Sequence, residues 1–229
     1  MRHLSIRRRR VASVLGAGAL LIGGVAAPAL LAAGPASAGT CVAGAPCTIT
    51  GTATLGTGTL TLTAPSTLTW AGTLNGLTQE FADTTTADET YNVDDATGGT
   101  TGWTVSVAAS NFSTTGGTPV SLPSTGTFFT TGSVTLPAST TAPTASCTSG
   151  AGTCTLPTNA ITYPVDVVTG GATPAPSIVY EAAGGTGLGS IDIGGSTAAN
   201  PVGWWITTRP DTAPGTYTST ITLTLATGP

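Results

Sequence analysis

The chain has 229 residues, of which only 7% are charged, and its formal net charge is −4. Five of the six basic residues and the single histidine lie in the first ten positions, so residues 39–229 carry Arg209 against ten acidic residues, a formal charge of −9. This balance excludes nucleic acid as a partner, because nucleic-acid binding needs a basic surface. It also excludes electrostatic attraction to anionic lipid or anionic wall polymers.

The N-terminal segment has the pattern of a secretory signal peptide. An arginine-rich start precedes an apolar run over residues 11–33, and Ala-Ser-Ala at residues 36–38 matches a signal-peptidase site. We therefore predict export and cleavage after Ala38, by either the general secretory or the twin-arginine route. A retained membrane anchor is the alternative. After cleavage of residues 1–38, no membrane association is expected.

Four cysteines follow the predicted cleavage site, and in an exported chain they predict disulfides. Their spacing favours two local pairs, Cys41–Cys47 and Cys147–Cys154, while cross-pairing stays open. A zinc site is excluded, because the spacings are not Cys-x2-Cys and no histidine remains. No metal and no other cofactor is therefore expected.

The first two predicted strands alternate apolar and polar residues with a period of two. Residues 58–63 place Leu60 and Leu62 on one face and threonine on the other. Residues 67–74 place Leu68, Trp70, Gly72 and Leu74 on one face. No segment after residue 38 shows the 3.6-residue period of a helix.

The later predicted strands follow the same alternation. Residues 102–109 place Trp103, Val105, Val107 and Ala109 on one face. The clearest strand, residues 217–229, has a threonine face opposite Tyr217, Ser219, Ile221, Leu223 and Leu225. Further candidates are residues 127–136, 176–182 and 203–208.

About ten strands without helices predict an all-β fold. We expect one antiparallel β-sandwich domain over residues 39–229, with Greek-key connections. An open barrel is the alternative. Residues 137–175 are rich in proline, threonine, alanine and glycine, and we interpret them as a long loop or insertion within the domain.

Catalytic groups are scarce. Because no histidine or lysine follows residue 38, Ser-His-Asp, Cys-His and Ser-Lys sites are excluded, and we expect no enzyme. A glycosidase with paired carboxylates is the remaining enzymatic alternative. Its candidates are Asp83, Asp88, Glu89, Asp94, Asp95, Asp166, Glu181, Asp192 and Asp211. Residues 88–95 are interpreted as a solvated loop, with a calcium site as the alternative.

Two adjacent tryptophans, Trp204 and Trp205, lie in a predicted strand and must point to opposite faces. One enters the core, and the other faces solvent unless a loop covers it. An exposed tryptophan can stack on a sugar ring or a partner side chain. The pair is therefore a candidate aromatic contact, whereas the alternation around Trp70 and Trp103 predicts core positions.

Two short motifs stand in a fixed order along the chain. An Asp-rich turn, residues 94–103, leads into Trp103-Thr104-Val105, and a C-terminal strand after Tyr217 carries Leu223-Thr224-Leu225. This order, over residues 48–229, resembles the WxL domain family of Gram-positive cell-surface proteins, which has two Trp-x-Leu motifs in these places. Here valine replaces leucine in the first motif, and leucine replaces tryptophan in the second.

The resemblance implies a β-sandwich that attaches non-covalently to peptidoglycan. It implies a secreted protein of the cell surface whose partner is peptidoglycan or another wall glycan, with other surface proteins as further partners. An adhesin or carbohydrate-binding sandwich that is not targeted to the wall is the alternative. The wall-binding motif by resemblance is Trp103, Thr104, Val105, Leu223, Thr224 and Leu225.

Overall fold

Thirteen short strands and one 3-10 helix form the regular structure of the residues that the computed structural model describes, 51–171 and 174–229. The predicted signal peptide and the predicted Cys41–Cys47 pair lie outside these residues. The elements are β1 (Leu60–Thr63), β2 (Gln79–Ala82), the 3-10 helix η1 (Thr86–Asp88), β3 (Thr90–Asp95), β4 (Trp103–Ala109), β5 (Ser113–Thr114), β6 (Phe128–Thr131), β7 (Ala145–Cys147), β8 (Val165–Val167), β9 (Ser177–Ala182), β10 (Gly189–Gly194), β11 (Gly203–Thr208), β12 (Tyr217–Thr218) and β13 (Ile221–Thr227).

The strands form four sheets, and every ladder between named strands is antiparallel. The strand orders are β1-β3-β10-β7, β2-β11-β6-β8, β12-β5 and β13-β4-β9. Most neighbours are distant in sequence, so each ladder joins parts of the chain that only the complete fold brings together. The prediction of an all-β, sandwich-like antiparallel fold is confirmed.

The hydrophobic core lies against β4. Trp103, Val105, Val107 and Ala109 are all 0% exposed, as their alternation predicts. Full burial of one such aliphatic side chain contributes about 1.5–3 kcal/mol. The other buried members of this cluster are Tyr91, Val93, Phe112, Leu122, Phe128, Tyr163, Val167, Val179, Tyr180, Ala182, Ile191, Ile193, Val202 and Trp204.

The predicted strand over residues 67–74 is wrong. Leu68 and Trp70 do pack against the core, but the segment joins none of the described ladders. Its polar contacts are made to side chains and to a distant carbonyl instead. The Thr69 backbone N–H donates to the Asp83 carboxylate at 2.7 Å, and Trp70 Nε1 donates to the Trp204 carbonyl at 3.0 Å.

Two other predicted strands have different bounds. The strand predicted over residues 127–136 ends at Thr131, because the chain turns away where the Gly132 N–H donates to the Thr141 carbonyl at 2.9 Å. The C-terminal strand is divided into β12 and β13. At the interruption, the Thr220 N–H donates to Ser110 Oγ at 2.8 Å.

Residues 88–95 form no solvated loop, contrary to the interpretation from the sequence. They include the end of η1 and the strand β3, in which burial alternates along the strand. Tyr91 and Val93 enter the core, and Val93 pairs with Ile191 across the ladder to β10. The apolar residues of this acidic segment thus decide its structure.

Residues 137–171 are mostly irregular, as predicted, but they contain the short strands β7 and β8. The predicted local disulfide Cys147–Cys154 is present, with a Cα–Cα distance of 5.5 Å. It closes a short turn at the end of β7, and β7 in turn pairs with β10. The disulfide therefore ties this loop to an edge of the first sheet.

Two glycines with positive φ permit the close environment of Trp103. A Cβ at Gly102, immediately before the strand, would overlap the Ala182 carbonyl oxygen. A Cβ at Gly187 would lie 2.7 Å from Trp103 Nε1. The absent side chain of Gly187 lets the indole approach the backbone there, and that of Gly102 lets the start of β4 approach the Ala182 carbonyl.

We expect Gly187→Ala to destabilise the fold more than Gly185→Ala. Both glycines have left-handed φ values, 72° and 79°, so each change adds backbone strain of about 1–2 kcal/mol. A Cβ at Gly185 meets no atom within 4 Å, whereas one at Gly187 enters the contact between Trp103 and Ala182. Guanidinium denaturation measures the difference, and equal midpoints would contradict the close contact around Trp103.

Candidate ligand-binding cleft

The two motif segments are neighbours in the structure. β4 and β13 pair through seven residues each, with Val105 opposite Leu225 and Val107 opposite Leu223. More than a hundred residues of chain separate the two strands, so the sequence shows only their order. The fold makes them one antiparallel ladder.

Trp103 is a core residue. Its side chain is 0% exposed, its Nε1 donates to the Gly187 carbonyl at 2.8 Å, and its ring stacks on Tyr180 with centroids 6.2 Å apart. Val105 is also fully buried, and Thr104 is 8% exposed. The first motif therefore presents almost no surface to a ligand.

The second motif is more accessible. Thr224 is exposed on the outer face of β13, together with Thr222, and Thr220 is exposed immediately before the strand. Leu223 and Leu225 point inward, where they are half-buried against the core. The half-buried face predicted for this strand is thus present, with its threonines outside.

Trp204 and Trp205 point to opposite faces, as predicted, but both are buried. Trp204 stacks on Phe128 with centroids 6.0 Å apart, in the core. Trp205 stacks on Phe129 at the same distance, and its Nε1 donates to the Ser133 carbonyl at 2.7 Å. The turn that follows β6 covers this second face, which is the alternative that the sequence left open, so neither tryptophan faces solvent.

A cleft of about 1120 Å³ opens beside β13. One wall is the irregular segment 65–76, the floor is the face of β11, and the other wall is residues 210–223. The aromatic lining residues are Trp70, Phe81, Phe112, Trp204 and Tyr217. Serines, threonines, prolines, glycines and aliphatic residues complete the lining, and it contains no aspartate, glutamate, lysine or arginine.

Trp70 is the tryptophan that the sequence did not mark as a site residue. Its predicted contact with the core is confirmed by edge-to-face packing on Phe112 and Phe128, at 5.6 and 5.8 Å between centroids. Its ring is nevertheless only half-buried, because it also lines the cleft. Alternation with Leu68 could predict the packing of Trp70 against the core. It could not predict the cleft, because the opposite wall, which includes Tyr217, is distant in sequence.

Thr208 lies at the end of the cleft floor, on the same face of β11 as Trp204 and Ile206. The residue is 6% exposed, and its Oγ1 makes no hydrogen bond to any other described residue. A buried hydroxyl without a partner is uncommon and needs a physical reason. No sequence signal distinguished it from the other threonines.

The carboxylates form no part of the cleft lining, although Asp83 accepts from the lining residue Thr69 and Asp211 stands between two lining residues. Asp83, Asp88 and Glu89 are buried around η1, where Asp83 accepts the backbone N–H groups of Thr69 and Thr85. Burial, and secondly the negative charge of Asp83, raises the pKa of both Asp88 and Glu89. None of the carboxylates proposed from the sequence lines the cleft.

The described residues offer no cluster for a metal ion. Within residues 51–171 and 174–229, no group of three or more His, Cys, Asp or Glu could hold one. The calcium alternative at residues 88–95 is not supported, because β3 directs alternate residues to opposite faces. Asn92 instead donates from its Nδ2 to Asp192 Oδ1 at 2.8 Å. No helix among these residues is long and apolar enough to cross a membrane.

Comparisons with protein-family models, curated proteins and solved structures find no match. Membership of the WxL domain family therefore stays a resemblance in the order of two motifs.

The raised pKa values of Asp88 and Glu89 predict a protein that is more stable in mild acid than at neutral pH. Their folded-state pKa values lie above the ordinary 3.8 and 4.5, so the folded state binds these protons more tightly. Their stabilising effect is complete below the ordinary values and is lost as the pH rises through the folded ones. We expect the urea midpoint of unfolding to fall as the pH rises through the folded-state pKa values of Asp88 and Glu89.

The double variant Asp88→Asn, Glu89→Gln should reduce this pH dependence, because neither neutral side chain must ionise in its buried site. Asp211→Asn is the matched control, since Asp211 is exposed. Urea midpoints over a pH series measure all three proteins. An unchanged slope in the double variant would contradict the assigned cause.

Proposed function

We propose that the protein is a secreted, non-catalytic protein of the cell surface that associates non-covalently with the glycan of the bacterial cell wall. The observation that carries this proposal is the pairing of the two motif strands. Through that pairing, β13 supplies Ile221 and Leu223 to the wall of the uncharged cleft. The second motif thus contributes to a surface, and the buried first motif holds that strand in place.

The buried and exposed parts of the motifs have different roles in this proposal. Trp103 and Val105 hold β4 in the core, since neither side chain is exposed. The contact with the wall falls to β13, through its outer threonines and through Leu223 at the cleft. Trp103 is then a positioning residue that acts through the ladder.

The charge of the chain supports a contact by stacking and hydrogen bonding. The described residues contain one basic side chain, Arg209, so attraction to anionic wall polymers is weak. Uncharged contacts are also not screened by salt, unlike exposed ion pairs. Sugar hydroxyls and apolar sugar faces are the wall groups that fit such a surface.

A carbohydrate-binding protein or adhesin that is not targeted to the wall is the second candidate. The aromatic lining of the cleft favours it equally, because that lining suits sugar rings of any source. A glycan array separates the two candidates. A glycosidase is less well supported, since the carboxylates lie outside the cleft.

The exported protein should pellet with purified peptidoglycan more than a control β-sandwich protein does. Because no charge attraction is involved, the pelleted fraction should not fall when salt is raised to about 1 M, where the Debye length is about 3 Å. Co-sedimentation with and without calcium measures it. If the protein pellets no more than the control does, the proposed association with the cell wall is contradicted.

Trp103→Phe should lower stability without reducing pelleting at a temperature where the variant is folded. The change removes the hydrogen bond from Trp103 Nε1 to the Gly187 carbonyl, a loss of about 1–3 kcal/mol when the acceptor stays buried. Urea denaturation and co-sedimentation of the same preparation measure both effects. A folded variant that no longer pellets would show that Trp103 contributes directly.

A further inference from the structure

We propose that the cleft is a binding site for an uncharged oligosaccharide, held by stacking on aromatic rings and by hydrogen bonds to hydroxyl groups. This inference names the ligand site of the proposed wall association, and it rests on that function for its biological setting. The cleft favours such a ligand through its lack of charge, its aromatic rings, an unpaired hydroxyl and its size.

The absence of charge selects an uncharged ligand. No aspartate, glutamate, lysine or arginine lines the cleft. A charged group that entered it would lose water without gaining an opposite charge, which is strongly unfavourable. An uncharged molecule loses only water that the lining hydroxyls can replace.

The aromatic rings are already fixed in position. Trp70 Nε1 donates to the Trp204 carbonyl at 3.0 Å, and the Tyr217 hydroxyl donates to the Ala213 carbonyl at 2.8 Å. Both side chains are half-buried and line the cleft. Side chains that are ordered before binding lose less entropy on binding, so these rings are suited to stacking. The apolar face of a sugar ring fits such a surface.

The lining also contains many hydroxyl groups. Those of Tyr217, Thr218 and Ser219 already donate to backbone carbonyls, but an apolar ligand would leave a buried hydroxyl that has no partner in the fold unsatisfied. Thr208 is the sharpest example, because its buried Oγ1 makes no hydrogen bond within the described part of the chain. Rotation about its Cα–Cβ bond exchanges the hydroxyl and methyl positions, so the hydroxyl can reach a bound molecule. The other hydroxyl residues of the lining are Ser66, Thr67, Thr69, Thr73, Thr212, Thr216, Thr218 and Ser219, beside Tyr217.

The size of the cleft favours an extended ligand. Its volume of about 1120 Å³ exceeds the roughly 300–1,000 Å³ that is usual for small-molecule sites. A ligand with alternating apolar faces and hydroxyl edges along its length matches walls of the same alternating character. An oligosaccharide has this form, whereas a lipid chain lacks the hydroxyls.

Binding is measured by titrating the exported protein with chitopentaose, cellopentaose and maltopentaose, all uncharged, in a calorimeter. Acrylamide quenching of tryptophan fluorescence gives a second readout. Of the four tryptophans, Trp103, Trp204 and Trp205 are at most 1% exposed, so the quenchable emission belongs to Trp70. We expect at least one pentasaccharide to bind and to protect Trp70 from quenching by acrylamide. If chitopentaose is the ligand, its fully deacetylated, cationic form should bind less tightly.

Thr208→Val should weaken this binding about fivefold to tenfold, the equivalent of one hydrogen bond. Thr169→Val is the matched control, because Thr169 also has a buried Oγ1 without a partner among the described residues but lies outside the cleft. Neither change removes a hydrogen bond from the fold, so both variants should be at least as stable as the parent. Equal affinities of the two variants would overturn the role of Thr208.

Leu223→Ala and Leu225→Ala form a second matched pair. Both leucines are half-buried on the inner face of β13, but only Leu223 lines the cleft. We expect Leu223→Ala to lower the affinity for the pentasaccharide and for peptidoglycan, while Leu225→Ala lowers stability alone. Equal effects on binding would place the site elsewhere.

The possible results separate this inference from the proposed function. If the protein pellets with peptidoglycan but binds none of the three pentasaccharides, the cleft proposal is overturned and wall association stands. If a pentasaccharide binds and Thr208→Val weakens it, but the wall is not bound, the cleft proposal stands and wall association is overturned. Binding of an apolar peptide in place of every sugar would also overturn the cleft proposal.

Discussion

The strand β4, whose inward face is fully buried, is the constraint on which the rest of the structure depends. It pairs with β13 on one side and with β9 on the other, so it joins the C-terminal strand to the body of the fold. Trp103 fixes its beginning, because the indole stacks on Tyr180 and donates to Gly187. In the described residues β13 has no ladder partner except β4, so the position of the cleft wall follows from the burial of β4.

This arrangement explains how Trp103 in the first motif can matter although its ring is not exposed. A large buried ring with one polar atom is well suited to fix a strand, because the N–H must find a partner and thereby sets the orientation of the ring. The partner strand can then carry the exposed groups. Threonine and leucine alternate along β13 for that reason, with one set in solvent and one set at the core and the cleft.

The sequence predicted those elements whose structure is decided by local alternation. β4 and β13 follow from Trp103, Val105 and Val107 on one side and from Ile221, Leu223 and Leu225 on the other. Segment 67–74 has the same alternation but no strand, because its backbone and Trp70 bond to Asp83 and to a distant carbonyl. Alternation predicts which side chains point inward, but it does not predict whether the backbone N–H and C=O groups pair with another strand.

The site was less predictable than the fold, because each part of it depends on distant residues. The charge balance of the sequence argued against electrostatic binding to nucleic acid, anionic lipid or anionic wall polymers, and no charged residue lines the cleft. It indicated Trp204 and Trp205, but the turn after β6 covers Trp205, and Trp204 stacks in the core. Trp70 is the one tryptophan that is half-buried and lines the cleft. The sequence could not show this, because the opposite wall of the cleft, which includes Tyr217, is distant in sequence.

The central claim is that the motif strands position the binding surface although Trp103 does not touch the ligand. Amide hydrogen–deuterium exchange tests this claim most directly, when it is measured with and without a soluble uncharged glycan fragment of the wall. We expect slower exchange in residues 65–76 and 210–223, which line the cleft, and no change in residues 98–103, the turn before β4 and its first residue. Slower exchange in that turn, with the cleft segments unchanged, would contradict this claim.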